Sequence, residues 1–422
     1  MSDLRAAIEA EALAAKRAAS FLTDAAVDAA LAEAAVLVRE RRAEILRANE
    51  ADYAAAEKSL DAGMLDRLRL DAARVESMAV QVAATAALPP LEREVAAWTL
   101  ADGLRVSERR IPIGVVGANF EARPNVALDI SAQLLKSLNA GVLRTGGAAL
   151  RTVTVVIDEV VRPALERAGL PPGAIGLVRS ADHEGARILV SMPSLVRLVV
   201  LRGSGETTAA LARLAAEHGV RTLAHAEGGG VLYIHAAADP AAALLLAENS
   251  LDRLGVCNRL NLALVDAARA DVIPGLLDLF RRRSLDVRGT ERARALAGHA
   301  VAPLDRRLGH DWTSDPERVS SVTLDVVGSL EEAVEIANDE TSGLAAAIVT
   351  EDEAAAYRFL DLYRGTAAYW QAPTRFTDGF ALTGAPETGI NVDWTPGPRG
   401  PVTYRDLWLR QYRGIGDGSQ HR

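Results

Sequence analysis

The sequence predicts an α/β protein built on parallel sheets. Downstream of Pro89 and Pro90, short apolar runs alternate with helical stretches. That alternation marks buried parallel strands joined by crossover helices. It runs from about residue 113 to 226 and resumes near 236, so two sheets are expected. A chain of 422 residues, 49% hydrophobic and 24% charged, can core two or three domains and is not biased toward disorder.

Residues 1–88 are Ala-rich, with apolar positions three and four apart. This spacing predicts amphipathic helix, longest over 27–59 and broken near Gly63, until the Pro pair ends it. Residues 95–114 alternate and turn at Asp102-Gly103, which predicts a hairpin. Strands follow at 113–118, 140–146, 175–180, 195–203 and 220–226, with helices over 125–138, 148–168, 183–190 and 206–218. The second round places strands at 231–237, 259–268, 322–329 and 345–352. Its helices lie at 239–251, 270–283, 330–339 and 354–364. Residues 377–403 hold many Gly and Pro and read as ordered loop, before a last strand within 404–418.

Composition excludes several functions. The net charge of −9, from 47 basic and 56 acidic residues, argues against nucleic acid as a partner. A single cysteine, Cys257, excludes an internal disulfide and every Cys-rich zinc site. The seven histidines are scattered, so no metal is expected. No stretch of 18 residues is apolar enough to span a bilayer, and the first residues do not resemble a signal peptide. The expectation is a reduced, cytoplasmic protein with no membrane partner.

Five phrases can carry chemistry. Cys257 sits on a short link between a predicted helix and a strand, where a thiolate can reach a carbonyl. A small buried hydrophobe is the plainer reading of the same residue. In EARPN (121–125), Pro124 suits a first helical turn and Asn125 can point an amide at an oxyanion. A helix cap with a structural Arg is the alternative. LRGSGET (201–207) is a strand-to-helix turn that can hold a pyrophosphate, though it is not GxGxxG. HAEGGG (225–230) offers His225 or Glu227 as a base, or else a close backbone approach that requires Gly. Arg375 and Arg399 lie in polar loops and are of the type that clamps phosphates or carboxylates.

Together the phrases resemble the gamma-glutamyl phosphate reductase family of the aldehyde dehydrogenase superfamily. The resemblance rests on MLDRLRLDAARVESMA (64–79), IPIGVVGANFEARPNVALD (111–129), LLKSLNAGVLRTGG (134–147), VCN (256–258), PTRFTDG (373–379) and PRGPVTY (398–404). It implies an aldehyde dehydrogenase-like fold with two α/β domains. Residues 1–98 and 114–235 would form a Rossmann-like NADP domain, and 236–370 a catalytic domain. Residues 99–113 and 396–418 would form a small oligomerisation element, with 371–395 as substrate-facing loops. A homo-oligomer is implied, with glutamate 5-kinase as the functional partner.

The implied chemistry is reduction of an acyl phosphate through a thioester on Cys257. Asn125 and the backbone N–H of Cys257 match the oxyanion hole. Gly203, Ser204, Arg144 and Glu317 are the expected cofactor residues. Arg123, Thr374, Arg375 and Arg399 are expected near the substrate. EGGG is also similar to the phrase in hydrolytic aldehyde dehydrogenases, whose Glu activates water. Glu227 therefore marks a second reading, in which an aldehyde is oxidised to an acid. A paralogue acting on another acyl phosphate and a catalytically silent scaffold are the further alternatives. Cys257 that is inert at neutral pH would favour the silent scaffold.

Overall fold

The structure is a computed structural model, and it describes residues 2–60, 62–203, 205–225, 227–394 and 397–421. The N-terminal region is helical, as its periodicity predicts: α1 (Ser2–Ala18), α2 (Asp24–Glu40), α3 (Arg42–Ala56), α4 (Ala62–Leu68) and α5 (Ala72–Ala87). Thr23 and Asp71 cap α2 and α5 by accepting from the N–H groups of Ala26 and Arg74. The predicted hairpin is β1 (Glu94–Thr99) and β2 (Arg105–Pro112). Its turn holds Gly103 at φ +85°, with Asp102 accepting from the Leu104 N–H.

A first parallel sheet contains β3 (Val115–Phe120), β4 (Ala140–Thr145), β5 (Ile175–Leu177), β6 (Leu198–Arg202) and β7 (Arg221–His225). Their spatial order is β5-β4-β3-β6-β7. This is the Rossmann order, in which the strand sequence reverses between β3 and β6. The crevice beyond the carboxyl ends of those two strands is where α/β sheets take ligands. Between β3 and β4 runs α6 (Pro124–Lys136), with proline at its first position. Lys136, 2% exposed, pairs with Asp28 of α2 and donates to the Ala86 carbonyl at 3.1 Å. The N-terminal helices are thereby fastened over α6.

The second sheet contains β8 (Gly230–Ile234), β9 (Leu260–Asp266), β10 (Asp286–Gly289), β11 (Ala302–Pro303), β12 (Ser321–Val327), β13 (Ala345–Val349) and β14 (Ala368–Trp370). All its pairings are parallel, in the order β11-β10-β12-β9-β8-β13-β14. Because β8 pairs with β9 and β13, the second sheet begins at Gly230 rather than after 235. The alternation places this strand in the second round, and the pairing moves the boundary implied at 235 back to Gly230. Strands β10, β11 and β14 carry no clear alternation in the sequence and were not expected.

The Gly- and Pro-rich tail contains a two-stranded ribbon, β15 (Gly389–Asn391) and β16 (Gly400–Val402), where loop was expected. The last strand, β17 (Trp408–Ile415), pairs antiparallel with β2, giving a three-stranded sheet β1-β2-β17. The hairpin spans Glu94–Pro112, close to the 95–114 expected. The tail is anchored to the first domain: the Tyr404 N–H donates to Gln133 and Asn139 donates to the Leu407 carbonyl, both at 2.8 Å. Among the described residues, no helix is long and apolar enough to cross a membrane.

Candidate active site

Cys257 lies on the link between the helix Pro240–Asn249 and β9. The base of this loop is closed by the Leu260 N–H donating to the Ser250 carbonyl at 2.8 Å. The Gly-rich phrase pins its tip. The Gly229 N–H donates to the Cys257 carbonyl at 2.7 Å, and the Gly230 N–H to the Arg259 carbonyl at 2.8 Å. A Cβ at Gly228 would sit 2.7 Å from the Cys257 carbonyl oxygen and 2.8 Å from its Cα. Gly229 has φ +113°. The glycines of EGGG therefore serve a close backbone approach to the cysteine loop. The His225 side chain lies outside the described residues, as does Ser204.

Asn258 joins that loop to the TRFTDG phrase. Its amide donates to the carbonyls of Arg375 at 3.1 Å and Thr377 at 3.0 Å. The Thr374 hydroxyl donates back to the Asn258 carbonyl at 2.8 Å. Arg375 donates to the Asn258 side chain and to Asp252, the latter at 2.6 Å. Thr374 is fully buried. Both residues thus hold the cysteine loop in place.

Arg399 is drawn into the tail. It donates to the carbonyls of Val392 and Arg364 and stacks over Trp394, 4.4 Å from the ring centre. Arg399 does not line the cavity described next.

A cavity of about 390 Å³ lies beside the cysteine loop. Its walls include Arg123, Asn125 and Asp129 at the start of α6, and Arg202 at the end of β6. Arg67, Arg69 and Arg74 come from the N-terminal helical region, and Arg253 and Glu387 from the second half of the chain. Arg67 also reaches the Gly255 carbonyl, at 3.5 Å. The switch point of the first sheet and the cysteine loop therefore meet at one cationic cleft.

The charges in this cleft interact. Burial pushes the Cys257 thiol up to about 11, Asp311 and Glu387 push the same way, and Arg202 and Arg123 oppose them. Asp311 is held by the Gly228 N–H at 2.8 Å. The thiol is therefore protonated in the resting chain at neutral pH. Slow alkylation there is expected even of an active enzyme, so it does not single out a silent scaffold. Burial, with Arg202 and Arg67 as like charges, lowers Arg123 to about 10. Burial raises Asp129 to about 7, while the Asn125 amide, donating to it at 3.1 Å, and Arg202 lower it.

Glu227 is turned outward. Its carboxylate pairs with Arg307, and the two side chains are 42% and 46% exposed. Gly203 begins the turn after β6, where a Cβ would meet Thr208 at 3.4 Å. Arg144 is 5% exposed and donates to Asn119 and to the carbonyls of Ala181 and Asp182, and among the described residues its buried Nε has no partner. Glu317 is exposed on a single turn, Pro316–Arg318, of the second domain.

No family model matches the chain. It is 36% identical over 399 residues to the gamma-glutamyl phosphate reductase of Rhodospirillum rubrum, covering 93% of this chain and 91% of that one. The chain belongs to the gamma-glutamyl phosphate reductase family. The crystal structure of the gamma-glutamyl phosphate reductase of Thermotoga maritima superposes with a TM-score of 0.91 at 27% identity, covering 99% of this chain and all of that one. An acetylating aldehyde dehydrogenase from Geobacillus thermoglucosidasius shares the fold at TM-score 0.68 and 16% identity, over 100% and 98% of the two chains. The aldehyde dehydrogenase-like α/β fold expected from the sequence is thus present. Gamma-glutamyl phosphate reductases are oxidoreductases of the second step of proline biosynthesis.

Sequence reasoning missed Arg202, Arg67 and Asp129. Arg202 directly precedes the assigned Gly203, and Asp129 lies one helical turn beyond Asn125, so both had a local signal. Arg67 comes from α4, far away in sequence, and its one signal was its place in the family phrase 64–79.

Proposed function

We propose that this chain reduces L-glutamyl 5-phosphate to L-glutamate 5-semialdehyde and phosphate with NADPH, through a thioester on Cys257. The observation that carries this reading is the cationic cavity, which puts Arg123, Asn125 and Arg202 beside the cysteine loop. An acyl phosphate brings a dianion to the nucleophile, and guanidiniums suit it.

In this reading the Cys257 sulfur attacks the acyl carbon, and the thiol proton passes to the departing phosphate. The bond from that carbon to the phosphate oxygen breaks, and phosphate leaves with the electron pair. Arg123 and Arg202 favour the thiolate. Asn125 and the Cys257 N–H hold the carbonyl oxygen as it gains charge. When bound, the nicotinamide supplies the hydride that reduces the thioester. The carbon–sulfur bond then breaks, the thiolate is restored and the semialdehyde leaves.

A dinucleotide suits the first sheet. Its strand order reverses beside Gly203, and the unpartnered buried Nε of Arg144 leaves a donor for a phosphate oxygen. Gly203, Ser204 and Arg144 would hold NADP, with Glu317 reaching over from the second domain. Thr374 and Arg375 would act by positioning the cysteine loop, and Arg399 by shaping the tail beside it. The substrate would come from glutamate 5-kinase, in the cytoplasm.

Self-association is assigned to the three-stranded sheet. Trp98 and Tyr412 are exposed on one face of it and meet edge-on at 6.0 Å, and Leu409 and Ile415 are exposed on the other. Burial against a second copy would remove that apolar surface from water.

The test is NADP⁺ reduction with glutamate 5-semialdehyde, with and without phosphate. Activity that needs phosphate supports the acyl phosphate reading. Phosphate-independent oxidation would point to the hydrolytic reading instead.

A further inference from the structure

The turn after β6 was assigned to the cofactor, yet the residue that opens it faces elsewhere. Arg202 is the last residue of β6 and pairs in register with His225 of β7. Its side chain lines the cavity that also holds Arg123, Asn125 and Asp129. Among the described residues it has neither a hydrogen-bond nor an ion-pair partner. Its neighbours are poorly neutralised too. Arg123 and Arg67 share one carboxylate, Glu121, at 3.7 Å and 3.8 Å.

We propose that Arg202, together with Arg123, holds the phosphate dianion that leaves when Cys257 is acylated, so that the Arg202 side chain serves the substrate and not the dinucleotide. This rests on the acyl phosphate reading of the site.

Arg202 lowers the buried Asp129 but forms no ion pair with it, and Arg123 shares Glu121 with Arg67. Like charges gathered with so little pairing repel one another, and an anion between them removes the repulsion. The repulsion is visible in Arg123, which Arg202 and Arg67 both depress. The place of the charge is visible in Cys257, which Arg202 and Arg123 pull down against burial. The two guanidiniums are therefore close enough to act on the nucleophile. The group that must sit beside the reacting carbonyl is the phosphate. The α-carboxylate of a glutamyl chain is several bonds removed from that carbonyl. A planar guanidinium whose donors are free suits a phosphate face.

The experiment compares the wild type with Arg202→Gln and Arg202→Lys. Initial rates are measured in the oxidative direction, varying phosphate, semialdehyde and NADP⁺ in turn. A charge-assisted contact implies a rise in KM for phosphate of roughly ten- to a hundredfold in Arg202→Gln. The KM values for NADP⁺ and semialdehyde should stay within about twofold. Arg202→Lys should fall between, since it keeps the charge and loses the fork.

A second readout needs no turnover. Iodoacetamide labels Cys257 at pH 9, with and without inorganic phosphate. Phosphate should slow labelling of the wild type and leave Arg202→Gln unaffected. A raised KM for NADP⁺ would return Arg202 to the cofactor and overturn the proposal. A raised KM for semialdehyde alone would assign it to the α-carboxylate, with the same consequence. A wild type that ignores phosphate would instead defeat the acyl phosphate reading. A phosphate-dependent wild type with an unchanged phosphate KM and intact protection in Arg202→Gln would defeat this inference alone.

Discussion

Glu227 pairs with Arg307 at the protein surface, and the pair faces solvent. A carboxylate committed in this way is not placed to hold a water against a thioester on Cys257. Glu227→Gln should therefore keep phosphate-dependent activity within a few-fold. The lost exposed pair should cost at most about 1 kcal/mol of stability. Steady-state rates with and without phosphate check this, alongside a melting curve. A fall of about 10²–10⁴ would instead mark a general base.

Replacing Cys257 by Ala should abolish turnover while NADPH still binds, as fluorescence titration would report. The wild-type thiol has a second signature. Its value, pushed up to about 11, puts the reactive thiolate in the minority at neutral pH. Iodoacetamide labelling of the free chain should climb roughly tenfold per pH unit from 7 upward and level off near 11. A plateau below pH 9 would show that the burial of this loop is overcome in solution.

Asn125→Ala should lower kcat by about 10²–10³ with a much smaller change in KM, the cost of one oxyanion donor. Asp129 accepts from that same amide and so fixes which way it faces. Burial raises this carboxyl to about 7. A carboxyl whose folded value lies above its unfolded one favours folding at low pH, and that contribution is lost as pH rises through about 7. Asp129→Asn should accordingly flatten the decline in melting temperature between pH 5 and 8. It should also lower kcat, because an amide partner no longer orients Asn125 uniquely.

Asn258→Ala should loosen the cysteine loop. Its amide bridges Arg375 and Thr377, and leaving those carbonyls unpaired costs about 1–3 kcal/mol. Limited proteolysis near 373–379 should speed up, and activity should fall in parallel. Gly228→Ala is the sterner variant, because its Cβ would meet the Cys257 backbone itself. It should lose activity without losing the second sheet, as circular dichroism would show.

Trp98→Asp with Tyr412→Asp puts charge on the apolar sheet. If that sheet buries itself against a second copy, the double variant should elute as a smaller species on gel filtration. Unchanged elution would move self-association to another surface.

The sequence by itself determined the alternation of strand and helix, the hairpin turn at Asp102-Gly103 and the proline start of α6. These follow from side-chain periodicity and local backbone preference, which act within a few residues. It also determined the family, because EARPN, VCN and TRFTDG keep their order along the chain. Only the tertiary structure decided the order of strands in the second sheet, with β8 between β9 and β13, since a buried strand is apolar whichever neighbours it pairs with. It alone showed Thr374 and Arg375 clasping Asn258 from across the chain. It turned Glu227 outward to Arg307, and gathered Arg67, Arg123 and Arg202 about one cavity. Those outcomes depend on contacts between segments distant in sequence, and charge and burial at a site are sums over such contacts. No single phrase of the chain contains them.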